Sequence, residues 1–119
     1  MLSCDPCVNL TTDRSQGISI VRVNETRVTY PVLAEFTNTI AAIIDSGERV
    51  LLDLSNVTYV DSATIGCLME LYRQAAAAGG GLKLAGIQKR VETMLTMTGA
   101  ESVLDIHADE PSALKSFGI

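Results

Sequence analysis

Hydrophobic and polar positions alternate through much of Gly17-Ile18-Ser19-Ile20-Val21-Arg22-Val23, a stretch rich in β-branched residues. A period of two predicts a strand with one covered face. Asn24-Glu25-Thr26 reads as a turn, and residues 27–30 as a short second strand. Pro31 then suits the first turn of a helix, where its missing N–H is not required. From about Pro31 to Asp45 the apolar residues Val32, Leu33, Phe36, Ile40, Ile43 and Ile44 recur near three-and-four spacing, which predicts one stripe for the core. Ser46-Gly47 ends that helix.

Arg49-Val50-Leu51-Leu52-Asp53-Leu54 is nearly continuous in apolar character, as expected of a central strand covered on both faces. A loop over residues 55–61 leads to a second helix from about Ser62 to Ala78, with Ile65, Leu68, Met69, Tyr72 and Ala76 on one face. Gly79-Gly80-Gly81 stops it, since glycine tolerates positive φ after a last turn. Leu82 to Ala85 reads as a strand. Lys89 to Met97 reads as a helix with Val91, Met94 and Leu95 inward, ended by Thr98-Gly99. Val103 to Ile106 is a last short strand, and a final helix starts near Asp109 or Glu110 with Pro111 in its first turn.

The order ββαβαβαβα predicts an α/β fold: one domain with a mixed, mostly parallel β-sheet and about four α-helices. The opening strand pair supplies the antiparallel part. Residues 1–14 read as a loosely ordered N-terminal tail, and residues 15–119 as the domain. An exposed early strand offers an edge at which two chains could pair as a homodimer.

Composition narrows the function. The chain has 119 residues, enough for one core without staples. A net charge of −5 with scattered basic residues argues against nucleic acid or an anionic membrane as partner. No apolar run approaches the roughly 20 residues that span a bilayer. The N-terminus lacks the basic-then-apolar order of a signal peptide, so a cytoplasmic location is expected. Three cysteines make no disulfide framework: Cys67 reads as a small core residue, and Cys4 and Cys7 have the spacing of a metal or redox pair but only His107 to complete it. No metal or cofactor is expected.

The segment from Leu51 to Gly66 joins the buried strand to a helix start. Asp61 or Ser62 can cap that helix, because either side chain can accept from a first-turn amide. A serine there is also a hydroxyl beside amide donors, where an attached phosphate could remain without unfolding the helix.

The apolar strand ending in Leu52-Asp53-Leu54-Ser55, the turn to Val60-Asp61-Ser62 with Ile65-Gly66 after it, the helix Leu68-Met69-Glu70-Leu71-Tyr72-Arg73, then Gly80-Gly81-Leu82-Lys83-Leu84 and Met94-Leu95-Thr96-Met97-Thr98-Gly99 follow in an order that resembles the STAS family, anti-sigma-factor-antagonist type, over residues 17–117. The resemblance implies a phosphorylation site at Ser62, modified by an anti-sigma factor that is itself a serine kinase. It implies that the unphosphorylated chain binds the kinase and frees a sigma factor, that phosphate abolishes binding, and that a metal-dependent serine phosphatase restores it. Asp61, Ser62, Ala63 and Thr64 would form the switch loop that meets the partner. The kinase would supply the catalytic base, ATP and Mg²⁺, so no enzymatic activity is expected of this chain.

Two departures stand out. The family's Gly-Glu-Leu-Asp-like docking stretch after the early strand is Val23-Asn24-Glu25-Thr26-Arg27-Val28 here, and a second small-residue pair after the serine is Ala63-Thr64. The competing readings are a STAS scaffold or adaptor in a signalling or transport assembly, with Ser62 only a cap, a receiver-like phospho-acceptor, and an enzyme. The receiver needs a cluster of acidic ligands plus a lysine, which Asp53 and Asp61 alone do not supply. Against an enzyme stand the single histidine, the lack of a nucleophile-base pair and the lack of a complete metal set; Asp53, Asp61 and Glu70 could line an acidic pocket but read better as solvated or capping carboxylates.

Overall fold

The structure, a computed structural model, describes residues 9–118, so the Cys4 and Cys7 pair lies outside the described residues. Five strands form the main sheet in the order β1-β2-β4-β6-β7, with β1 Leu10–Ser15, β2 Ile18–Val23, β4 Arg49–Asp53, β6 Leu82–Ala85 and β7 Ile106–His107. Every pair is parallel except β1 with β2. A separate parallel pair joins β3 Arg27–Val28 to β5 Tyr59–Val60. The helices are α1 Tyr30–Asp45, α2 Ser62–Ala77, α3 Lys89–Thr98 and α4 Glu110–Ser116.

Two successive faces of the strands build two cores, because side chains alternate across a sheet. Val21, Val23, Val50, Leu52, Leu82 and Leu84 pack with Phe36, Ile40, Leu68, Val91 and Leu95 from α1, α2 and α3. On the other face Ile18, Ile20, Leu51 and Ala85 pack with Ala113 of α4. The central position of β4, with Val50, Leu51 and Leu52 all fully buried, matches its continuous apolar run.

Four expectations are corrected. Leu10–Ser15, placed mostly in the tail, is strand β1, paired from Leu10↔Val23 to Ser15↔Ile18. Its polar residues give no apolar period, since the ladder holds it and most of its side chains face water. Gln16 and Gly17 both take positive φ, 54° and 82°, the geometry of a tight I′ hairpin turn. With β1 outside it, β2 is paired on both sides and covered on both faces, so the edge at this end of the sheet is that of β1, where Asp13 and Arg14 sit. Charges on an edge discourage pairing with another chain.

The second strand shortens to Arg27–Val28 and pairs in parallel with β5, not antiparallel to the opening strand. Residues 100–102 form a 3-10 turn, and the last strand shifts to Ile106–His107. The apolar run Val103-Leu104 misled because Leu104 is buried from the turn and not from a strand.

The glycine run after α2 has two physical reasons. Gly79 and Gly81 take φ of 87° and 112°, whereas Gly80 sits against the α1–β4 turn. A Cβ on Gly80 would lie 2.5 Å from the Glu48 carbonyl oxygen, so backbone must move. Gly80→Ala is expected to cost about 1–3 kcal/mol, read as a lower urea midpoint with unchanged slope.

Candidate functional site

Helix α2 begins at the carboxyl end of the parallel strands. Asp61 has extended backbone (φ −96°, ψ 175°), and its Oδ1 accepts from the Thr64 amide at 2.9 Å, which makes it the N-cap. Of the two candidate caps the structure selects Asp61. Ser62 is therefore the first helical residue, and its side chain is exposed. The amides of the first two helical residues have no acceptor within a helix and carry the positive end of its dipole. An anionic group on Ser62 would meet that field.

Thr64 faces the interior. It is 1% exposed, and its hydroxyl lies 2.9 Å from the Val28 carbonyl and 2.6 Å from Asp61 Oδ1, with one proton for two acceptors. This contact ties α2 to β3, 36 residues away. Ala63 is exposed beside Ser62.

Beside Ser62 lies a groove of about 220 Å³ lined by Tyr59, Val60, Asp61, Ser62 and Ile65 on one side and Met94, Met97 and Thr98 of α3 on the other. Its surface is mostly apolar, and Met97 is 80% exposed, the one large hydrophobic side chain so open among the described residues. Sequence reasoning missed this role for α3. The signal was there: Met97 departs from the buried stripe of Val91 and Leu95. A thioether in that position adapts to varied apolar surfaces.

The acidic residues do not gather into a pocket of their own. Asp53 Oδ1 accepts from the Ser55 amide at 2.8 Å, Asp61 caps α2, and Glu70 pairs with Arg73 at 3.4 Å on the outer face of α2. Among the described residues no group of three His, Cys, Asp or Glu side chains could hold a metal ion. None of the described helices is long and apolar enough to cross a membrane. Cys67 is a half-buried free thiol against the core.

Three carboxylates are held below their usual range. For Asp105, burial pushes upward but is outweighed by the hydrogen bond and charge of Lys83 and by His107, 2.8 Å away. For Asp53, burial pushes upward but is outweighed by a hydrogen bond that the protonated form of Glu110 donates, by the Ser55 contacts and by the charge of Arg22. Asp109 is lowered by the Ser112 amide at the start of α4. A carboxylate with a depressed folded pKa stabilises fully above its unfolded value near 4 and loses that contribution as pH falls through the folded value. Melting temperature is thus expected to hold from pH 7 to about 5 and to fall steeply below about 4. In Lys83→Met the fall between pH 6 and pH 3 should be smaller.

A family model described as the STAS domain matches residues 9–113. The chain belongs to the STAS family. The anti-sigma-B factor antagonist of Bacillus subtilis (strain 168) is 28% identical over 105 residues, covering 85% of this chain and 94% of that relative. An anti-sigma factor antagonist from Mycobacterium paratuberculosis superimposes with a TM-score of 0.84 at 17% identity, covering 99% of this STAS chain and 100% of that one. The Bacillus cell fate determinant SpoIIAA in its phosphorylated form superimposes with a TM-score of 0.67 at 14% identity, covering 91% and 98%. The single α/β domain with its mostly parallel mixed sheet and four helices is the fold of these STAS structures.

Proposed function

We propose that this STAS protein is an anti-sigma-factor antagonist that works as a phosphorylation-controlled partner switch, with Ser62 as the modified residue. The observation that carries the reading is the exposed Ser62 hydroxyl on the rim of an apolar groove. In the unmodified state the groove, with Asp61, Ser62 and Ala63 along its edge, binds an anti-sigma serine kinase in the cytoplasm and thereby frees a sigma factor. The kinase then transfers the γ-phosphoryl group of its own ATP to the Ser62 oxygen. The added −1.5 to −2 charges must be desolvated against apolar surface, and binding is lost. A metal-dependent serine phosphatase removes the group by hydrolysis and restores the binding form. The relatives named as antagonists and the phosphorylated structural neighbour support the reading.

Thr64 stands outside this interface, since its hydroxyl is spent inside the protein. The N-cap at Asp61 holds the first turn of α2 in place before and after modification.

Binding calorimetry against the purified cognate kinase tests the groove. The double variant Met94→Ala, Met97→Ala is expected to bind about tenfold or more weakly, as buried apolar anchors do. Undiminished binding would remove the groove from the account.

A further inference from the structure

Arg27 and Arg90 stand out in a chain of net charge −5. Both are exposed, and, like Arg49, Lys89 and Lys115, neither forms an ion pair with a carboxylate among the described residues; what sets these two apart is their place beside the groove. Arg27 is nevertheless fixed: its guanidinium carbon lies 4.5 Å from the centre of the Tyr59 ring, and Tyr59 is a wall of the groove. Arg90 precedes Met94 by four positions and Met97 by seven, which puts all three on one side of α3. One cation is thus stacked on a ring that lines the groove, and a second lies one turn before Met94 on the helix that forms its other wall.

We propose that Arg27 and Arg90 determine partner specificity, so that the occupant of the groove is an anti-sigma kinase surface presenting an apolar side chain between carboxylates. The inference rests on the partner-switch reading and adds the chemistry of the partner to it. A guanidinium stacked on a ring is weakly hydrated and held in place, so it loses little water and little freedom when a carboxylate docks. Among the described residues Asp61 is the only carboxylate that lines the groove, and it is committed to the helix cap and to Thr64. Arg27 also falls in the segment 23–28, where the chain departs from the acidic docking stretch its family resemblance implies. The segment keeps one acid, Glu25, and adds Arg27, so the cation beside Tyr59 favours a partner carboxylate over a basic group.

The experiment measures the dissociation constant of the full chain for the purified cognate kinase with Mg-ADP, in salt from 0.05 to about 0.5 M. Four variants accompany the wild type: Arg27→Gln, Arg27→Glu, Arg90→Glu and, as a control on the opposite face of the sheet, Lys115→Glu. Wild-type affinity is expected to fall with salt, and Arg27→Glu and Arg90→Glu to bind about tenfold more weakly at low salt. Arg27→Gln should fall between, with a flatter salt dependence, and Lys115→Glu should match the wild type. If both arginine reversals bind like the wild type at low salt while the double methionine variant does not, the specificity assignment is wrong and the switch reading stands. A wild type that binds no anti-sigma kinase overturns both.

Discussion

Ser62→Glu is expected to lower affinity for the anti-sigma kinase by about a hundredfold, equivalent to about 2.7 kcal/mol. Ser62→Ala is expected to bind like the wild type and to take up no phosphate. The contrast follows from where the residue sits. Its side chain is exposed at the first helical position of α2 and borders a groove whose walls are apolar. Alanine leaves that surface as it is. Glutamate brings a fixed charge that must lose water when a partner covers the groove. Neither change disturbs the helix start, because the capping oxygen belongs to Asp61. Isothermal calorimetry with each variant checks the pair of results; equal affinity for wild type, alanine and glutamate forms would detach Ser62 from partner binding.

Phe36→Ala is expected to cost about 3–5 kcal/mol of folding stability, close to the lower end of what a domain of this size possesses. The chain has no Trp and two Phe, so large aromatic side chains are scarce. Phe36 is 1% exposed and heads the fully buried side chains by volume, between α1 and the sheet. Truncation leaves a cavity bounded by strands and by α2, elements that pack from several directions and have little room to collapse. Urea unfolding followed by circular dichroism should show a lower midpoint, and melting should fall by roughly 15 °C. A cost below about 1 kcal/mol would mean that the core closes over the gap.

The parts of the fold written in hydrophobic period were legible: the stripe of α1, the buried run of β4, Ile65 and Leu68 of α2 and the inward Val91 and Leu95 of α3, although the α2 face turns to bury Leu71 and Ala75 and leaves Ala76 exposed. The parts held by backbone pairing alone were not. Strand β1 carries Thr11, Thr12, Asp13 and Arg14, which look like a tail until the ladder with β2 is formed. Strands β3 and β5 are two residues each and exist because they pair with one another. At the site, the succession of Asp61 and Ser62 before a helical stripe already limited the cap to two residues. What decided between them was a hydrogen bond that only the folded turn makes. The groove was out of reach because it joins residues 59–65 to residues 94–98 across separate elements, and the burial of Thr64 depends on Val28 in the same way.

The partner-switch account is tested most directly by incubating the purified chain with its cognate anti-sigma kinase and Mg-ATP, mapping phosphate by peptide mass spectrometry, and measuring kinase binding before and after. The account predicts one phosphate, on Ser62, and binding that disappears with it and returns after phosphatase treatment. Phosphate on another residue, or phosphate on Ser62 with binding unchanged, would contradict it.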